Sequence, residues 1–308
     1  MKPARPLSQV TDVDLRLLRV FKAVAEVGSF AAAENVLDIS RSAISLHMKD
    51  LEKRLGIRLC QRGRAGFALT DEGRIVLQAI DTVLTSMEDF RNEVNQLHQR
   101  LRGSLNIGII NNLVSEPRMH VTEALQALRA QSDQVHIHIS MSTADDIERG
   151  LLDGRLHAGV VPLIHPLSGL KYIPLYEERQ SLYCGRNHPL FDRAAQLGPA
   201  DLQGIAAITP SYRLPPGVFE LLHDFEHAAT STDREGIAFL ILTGDYMGFL
   251  PDHVAQSWVA QHKMAIVAPE LMHFTLPLAV AVRKSSRQNM IIDFFLDALT
   301  QAQKNTAD

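Results

Sequence analysis

The chain has 308 residues, 46% of them hydrophobic and 21% charged, with a formal net charge of −4. That length allows two or three compact units, the composition excludes a disordered chain, and the net charge argues against a general nucleic-acid coat. The charge is uneven: residues 1–70 hold 12 Lys and Arg against 7 Asp and Glu, the remainder 19 against 28, as in a basic DNA reader joined to an acidic body.

In chain order, the first predicted element is a helix over DLRLLRVFKAVAEV, with Leu15, Leu18, Phe21 and Ala25 at helical spacing. A second helix, SFAAAENVL, has Ser29 as N-cap and small residues Ala31, Ala32 and Ala33 that let another helix approach. A short link, Asp38-Ile39-Ser40, leads to a third helix capped by Ser40. There Ile44, Met48, Leu51 and Leu55 form a buried stripe, while Arg41, Ser42, Ser45 and Lys49 offer two cations and two hydroxyls on the other side. Cations take phosphates or guanine, and hydroxyls take bases or phosphates, so this pair of helices reads as a helix-turn-helix. Gly56 ends the third helix. IRLCQRGRAGFAL then reads as a hairpin wing that places Arg62 and Arg64 against the sugar-phosphate backbone. Ser29, Ser40, Arg41, Ser42, Ser45, Leu46, Lys49, Arg62 and Arg64 are the candidate DNA-facing residues.

Thr70, followed by Asp71 and Glu72, starts a long helix expected to end near Leu101. Val76, Ile80, Val83, Met87, Phe90, Val94, Leu97 and Leu101 alternate at spacings of four and three, a heptad seam that calls for a second copy of the same helix. From residue 104 the pattern changes to strands alternating with helices. SLNIGII, QVHIHIS and LHAGVVPL are strands, with MHVTEALQALRAQ and DDIERGLLDG as helices. LKYIPLY, QSLYCGR and IAAITP are further strands, and GVFELLHDFEHA reads as a helix. After REGIAFLILTGDYMGFLPDHVAQ, the strand FTLPLAVAVRK and the helix NMIIDFFLDALTQ close the chain. Such alternation implies parallel strands with covering helices.

Chemistry of other kinds is not signalled. Cys60 and Cys184 offer neither a disulfide framework nor a zinc knuckle, which points to a reducing cytoplasm. Lys2 and Arg5 have no apolar stretch behind them, so the N-terminus does not read as a secretion signal. GIAFLILTGDYMGFL is interrupted by Gly244 and Asp245, and no membrane partner is expected. His223 and His227, four apart on the expected helix, lack a third ligand, as do His136 and His138 on one strand face, so no metal is expected. Asp145 and Asp146 read as ordinary acids at a helix N-terminus. No cofactor motif or catalytic constellation is present, and the chain is not expected to be an enzyme.

Taken together, the N-terminal residues resemble the LysR-type transcriptional regulators. The resemblance rests on Gly28-Ser29-Phe30, Ala32-Ala33, Leu37, Ser40, Ser42-Ala43, Ser45, Leu51-Glu52, Leu55-Gly56, Leu59, Arg62, Leu69-Thr70 and Gly73. Two positions depart from the family pattern. Arg41 stands where glutamine is usual, which changes the bases it can read, and Cys60 stands where phenylalanine is usual and suits a packed small hydrophobe better than a redox sensor.

The resemblance implies an α/β protein with an N-terminal all-α winged helix-turn-helix and a C-terminal two-subdomain, periplasmic-binding-protein-like effector domain. The implied division is a DNA-binding domain over 1–70, a dimerisation helix over 71–102 and an effector domain over 103–308. Within the last, subdomain I takes 104–162 and 270–308, and subdomain II takes 163–269. A small-molecule effector, of a kind that often bears a carboxylate, is expected between the subdomains. Asn111, Asn112, Ser142, Thr143, Thr209, Ser211, Arg213 and Tyr246 are its candidate contacts, with Arg213 the partner of a carboxylate. Double-stranded DNA, a second copy in a dimer or tetramer, and RNA polymerase are the implied macromolecular partners. The alternatives are an enzyme with a DNA-binding appendage and a ligand-independent architectural protein.

Overall fold

The computed structural model describes residues 9–63, 66–96, 101–284 and 289–307. The chain divides into two units, Met1–Asp89 and Phe90–Asp308.

The first unit holds α1 (Asp12–Val27), α2 (Phe30–Leu37), α3 (Arg41–Leu55), the hairpin β1 (Cys60–Gly63) and β2 (Gly66–Leu69), and most of α4 (Asp71–Gln96). Each boundary has a local cause. Gly28 and Gly56 end α1 and α3 in the left-handed conformation that glycine adopts without a Cβ clash. The Ser29 hydroxyl accepts from the Ala31 and Ala32 amides, the Ser40 hydroxyl accepts from Ala43, and Thr70 caps α4 by accepting from Gly73 at 2.9 Å.

Leu17, Val20, Phe21 and Val24 of α1 are buried against Ala33, Ile44, Met48, Leu51, Leu59 and Ile80. The expected α1 stripe is therefore displaced: Leu18 and Ala25 lie at its margin, and Leu15 is half-buried. Buried Asp14 ties α1 to α3, accepting from the Thr11 amide (2.8 Å) and hydroxyl (2.7 Å) and from Arg54 Nη2 (2.7 Å). Glu52 ties α3 to the wing by accepting from the amides of Leu59 (2.9 Å) and Cys60 (3.4 Å).

The heptad seam divides along α4. Ile80, with Val76 at its edge, belongs to the winged-helix core, whereas Val83, Met87, Phe90 and Val94 are exposed. Leu97 lies outside the described residues, and Leu101, beyond the end of α4, packs on a core of the second unit.

The second unit runs β3 (Gly103–Ile109), α5 (Val121–Gln131), β4 (Val135–Met141), α6 (Ala144–Leu152), β5 (Ala158–Pro162) and β6 (Leu170–Gly185). Then follow α7 (Pro199–Leu202), β7 (Ala206–Pro210), α8 (Val218–Leu222), β8 (Glu226–Ser231), α9 (Arg234–Thr243) and β9 (Met247–Pro251). The unit closes with α10 (Asp252–Ala260), β10 (Met264–Ile266), β11 (His273–Arg283) and α11 (Met290–Ala307). The described strands form a nine-stranded sheet in the order β4-β3-β5-β11-β6-β9-β7-β8, with β10 on β6.

Two halves are wound on this sheet. β3 pairs in parallel with β4 and β5 under a core shared by α5 and α11. β7 pairs in parallel with β8 and β9, with α9 against β9. Long antiparallel β6 and β11 serve both halves. Leu175 and Tyr176 of β6 pack with the first core, Leu182 and Cys184 with the second.

The structure corrects two sequence expectations here. LKYIPLY and QSLYCGR are one sixteen-residue strand, because β6 pairs with β11 from Leu170 to Ser181, across an irregularity at Leu278/Ala279, and with β9 and β10 beyond it. GVFELLHDFEHA is not one helix. α8 stops at Leu222, and Glu226 begins β8, whose backbone is taken up by β7. His223 and His227 consequently do not share a helix face. The His223 ring pairs with Asp224, and the His227 ring sits 2.6 Å from the Thr209 hydroxyl.

Candidate functional site

Two regions bring chemistry-bearing side chains together. The first is the outer surface of α3. Arg41, Ser42, Leu46 and Lys49 are exposed there, and the Arg41 and Lys49 side chains have no partner among the described residues. Glu34 of α2 accepts from the Arg41 amide and so anchors the start of α3. Ser40 and Ser42 hydroxyls lie 2.9 Å apart. Ser29 and Ser40 act first as caps, a structural task the sequence signalled. Ser45 is half-buried on the same helix. Arg62 lies on β1, and Arg64 is outside the described residues. Two cations with no partner among the described residues, set among hydroxyls on a helix fixed at its start and tied to a wing, make a surface chemically suited to phosphates and base edges.

The second region is a cavity of about 420 Å³ in the second unit. Ile110, Asn111, Ser142, Thr143, Asp145, Glu148 and His165 come from the half built on β3–β5; Ser211, Tyr212, Arg213, Thr232, Asp233 and Arg234 come from the half built on β7–β9. Ile110, Met141, Ile164 and Leu276 supply apolar wall. Helices α6 and α9 begin at its edge, capped by Thr143 and Asp233, so their free amides and positive dipole ends meet here.

Arg213 crosses between the halves. Its Nε donates to Asp145 Oδ1 at 2.8 Å, and its Nη2 pairs with Asp145 and reaches Glu148 Oε2 at 3.0 Å. Glu148 also accepts from the Tyr172 hydroxyl at 2.6 Å. Burial, followed by this bond to a carboxylate, pushes Tyr172 up to about 12, so it stays a donor. The Arg213 guanidinium is held above its ordinary value: burial lowers it, but Asp145 and Glu148 outweigh that.

Arg234 has a different task. It is buried and grips Glu178, itself 0% exposed, through two bonds of 3.1 and 2.5 Å. Gln180 Nε2 donates to the same carboxylate at 2.5 Å, and the His253 ring nitrogen Nε2 lies 2.9 Å from it. The other His253 nitrogen is 2.8 Å from the Ser115 hydroxyl, and Arg234 Nη1 donates to the Asn111 carbonyl at 3.4 Å. The network thus links the shared strand β6 to loop residues Asn111 and Ser115 of the first half and to helices α9 and α10 of the second. The contacts run from Ser115 through His253 to Glu178, whose charge Arg234 matches.

Of the eight expected effector contacts, Asn111, Ser142, Thr143, Ser211 and Arg213 line the cavity, and Asn112, Thr209 and Tyr246 do not. Asn112 takes a positive φ of 61° in a turn, Thr209 is directed to His227 on the neighbouring strand, and Tyr246 packs at the edge of an apolar cluster around α9. Sequence reasoning missed Asp145, Glu148, Asp233 and Arg234. The spacing of three between Asp145 and Glu148 was available as a signal of one shared helix face. Asp233 and Arg234 were hidden by reading β8 as helix.

Neither cysteine is poised to react. Both are free and buried, and burial pushes the Cys184 thiol up to about 11. The described residues contain no cluster of three or more side chains suited to a metal ion and no helix long and apolar enough to cross a membrane.

A winged helix-turn-helix joined to a cleft-bearing α/β body defines a ligand-responsive, DNA-binding regulator. Family comparison gives the same class. Residues 15–74 match the family described as bacterial regulatory helix-turn-helix protein, lysR family, and residues 98–304 match the LysR substrate binding domain. The chain belongs to the LysR family of transcriptional regulators. It is 55% identical to the HTH-type transcriptional activator BauR of Pseudomonas aeruginosa, over 95% of this chain and 96% of that one. It is 25% identical to the nitrogen assimilation regulatory protein nac of Klebsiella aerogenes, over 89% and 90%. The fold matches the crystal structure of CbnR, a LysR family transcriptional regulator, with TM-score 0.65, 21% identity and coverage of 94% and 99%.

Proposed function

We propose that this regulator is a cytoplasmic transcriptional activator that reads operator DNA through α3 and answers to a small carboxylate in the cleft between the two halves of its second unit. The observation that carries the DNA reading is the exposed polar surface of α3, where the Arg41 and Lys49 side chains have no partner among the described residues. Arg41, Ser42 and Ser45 face bases or adjacent phosphates, and Lys49 a phosphate. The solved complex of CbnR with its target DNA, whose fold this chain shares at TM-score 0.63, supports DNA as the partner, and the activator BauR supports the direction of control.

The cavity volume falls in the lower part of the roughly 300–1,000 Å³ range of ligand sites. A carboxylate entering it displaces Asp145 from Arg213, exchanging one acid for another at the same guanidinium. That exchange removes a bond between the halves and shifts the populations of their arrangements, which is how ligand binding reaches the DNA-reading unit. A homodimer or homotetramer, paired through the exposed seam of α4, presents two reading helices to a pseudo-palindromic operator and brings RNA polymerase to it.

Two measurements test this reading. Full-length protein is titrated with a duplex enriched from a random library and with random duplex across a range of salt; equal affinity for both at every salt refutes it. Calorimetric screening of small carboxylates against wild type and Arg213→Gln should show binding weakened about 10- to 100-fold in the variant, the value of a charge-assisted pair of bonds. Unchanged affinity removes Arg213 from the site.

A further inference from the structure

We propose that Leu46 reads the C5-methyl group of a thymine in the major groove and thereby fixes one base pair of each operator half-site. The inference rests on the DNA-reading role of α3 and takes it to a base identity. Leu46 is 57% exposed and belongs to none of the hydrophobic clusters that hold the winged-helix core. It lies two residues from buried Ile44 and two from buried Met48, so it projects from the far side of the helix. Its neighbours on that side are Ser42, four residues before, and Lys49, three residues after, both exposed. An apolar side chain therefore stands in the middle of a surface otherwise made of hydroxyls and cations.

The major groove offers donors, acceptors and a single apolar group, the thymine methyl. A leucine pressed against any other base edge strips water from a donor or acceptor and returns no hydrogen bond, so it selects against those bases as well as for thymine. Arg41 lies five residues earlier, about 7.5 Å along the helix axis, or roughly two base-pair steps. With arginine suited to guanine O6 and N7, the half-site then carries a guanine and a thymine about two steps apart.

The test uses full-length protein and the best duplex it enriches from a randomised library. Each thymine is replaced in turn by deoxyuridine, which removes only the methyl, and affinity is measured for wild type and for Leu46→Ala. One thymine per half-site should stand out, its replacement weakening wild-type binding roughly fourfold, the value of one buried methyl-sized group. The same replacement should leave Leu46→Ala unaffected, with the variant's circular dichroism and salt dependence unchanged. A uridine effect of equal size in both proteins, or no effect at any thymine, overturns the proposal while leaving α3 as a DNA reader. Failure to enrich any sequence overturns the α3 reading and this proposal with it.

Discussion

Arg234→Met isolates what the Glu178 network contributes. Methionine keeps most of the volume of the arginine stem but removes both bonds to a carboxylate that is 0% exposed. Stranding a buried charge in this way costs about 3–5 kcal/mol. Gln180 and His253 still contact Glu178, so the lower end of that range is expected. For a unit the size of Phe90–Asp308, each kcal/mol shifts Tm by about 2–4 °C, giving a fall of about 6–12 °C. Trp258, the one tryptophan, lies in α10 beside the second-half core, so its fluorescence reports this unit and not the winged helix. The double variant Arg234→Met with Glu178→Leu removes the stranded charge and should recover most of the loss. A single variant that melts within about 2 °C of wild type, or a double variant no better than the single, would refute the assignment of Glu178 as a charge held by Arg234.

Three further outcomes are expected. In Gly73→Ala the new Cβ would overlap the Leu59 backbone carbonyl oxygen at the start of α4, so operator affinity and the winged-helix helical signal should fall while the Trp258 transition stays put. Burial raises Asp14, but the Thr11 bonds and Arg54 outweigh it and hold its carboxyl below the ordinary 3.8. Its contribution is therefore complete above that value and is lost as pH falls through the lower folded value; urea titrations monitored by far-ultraviolet ellipticity should show a steep acid decline that Asp14→Asn flattens. Finally, Phe90→Lys places a charge on the seam where Phe90 is 67% exposed, and sedimentation should show weakened self-association without loss of fold.

The legible part of this protein was the part made by near neighbours in sequence. Ser29, Ser40 and Thr70 announce helix starts because an N-cap bond spans only two or three residues. The Ile44–Met48–Leu51 stripe shows which way α3 faces because helical periodicity is local. The polar surface of α3 follows from that, as do strands β3 to β5 and the helices between them.

What remained hidden depends on partners far along the chain. Arg213 was picked out as the partner of an effector carboxylate, yet Asp145 and Glu148, 68 and 65 residues earlier, already hold it, and no local pattern encodes that meeting. Glu226–Ser231 has no strand signature strong enough to outweigh its helix-like surroundings; β7 makes it a strand by taking its backbone hydrogen bonds. The length of β6 is set in the same way by β11, β9 and β10, and with it the two halves that share the strand. Residue order determined where the reading helix of this chain begins and ends and which face it buries, because its caps and its periodicity act within a few residues. Folding in three dimensions determined the cleft and the charges inside it, because their energies arise between segments that sequence keeps apart.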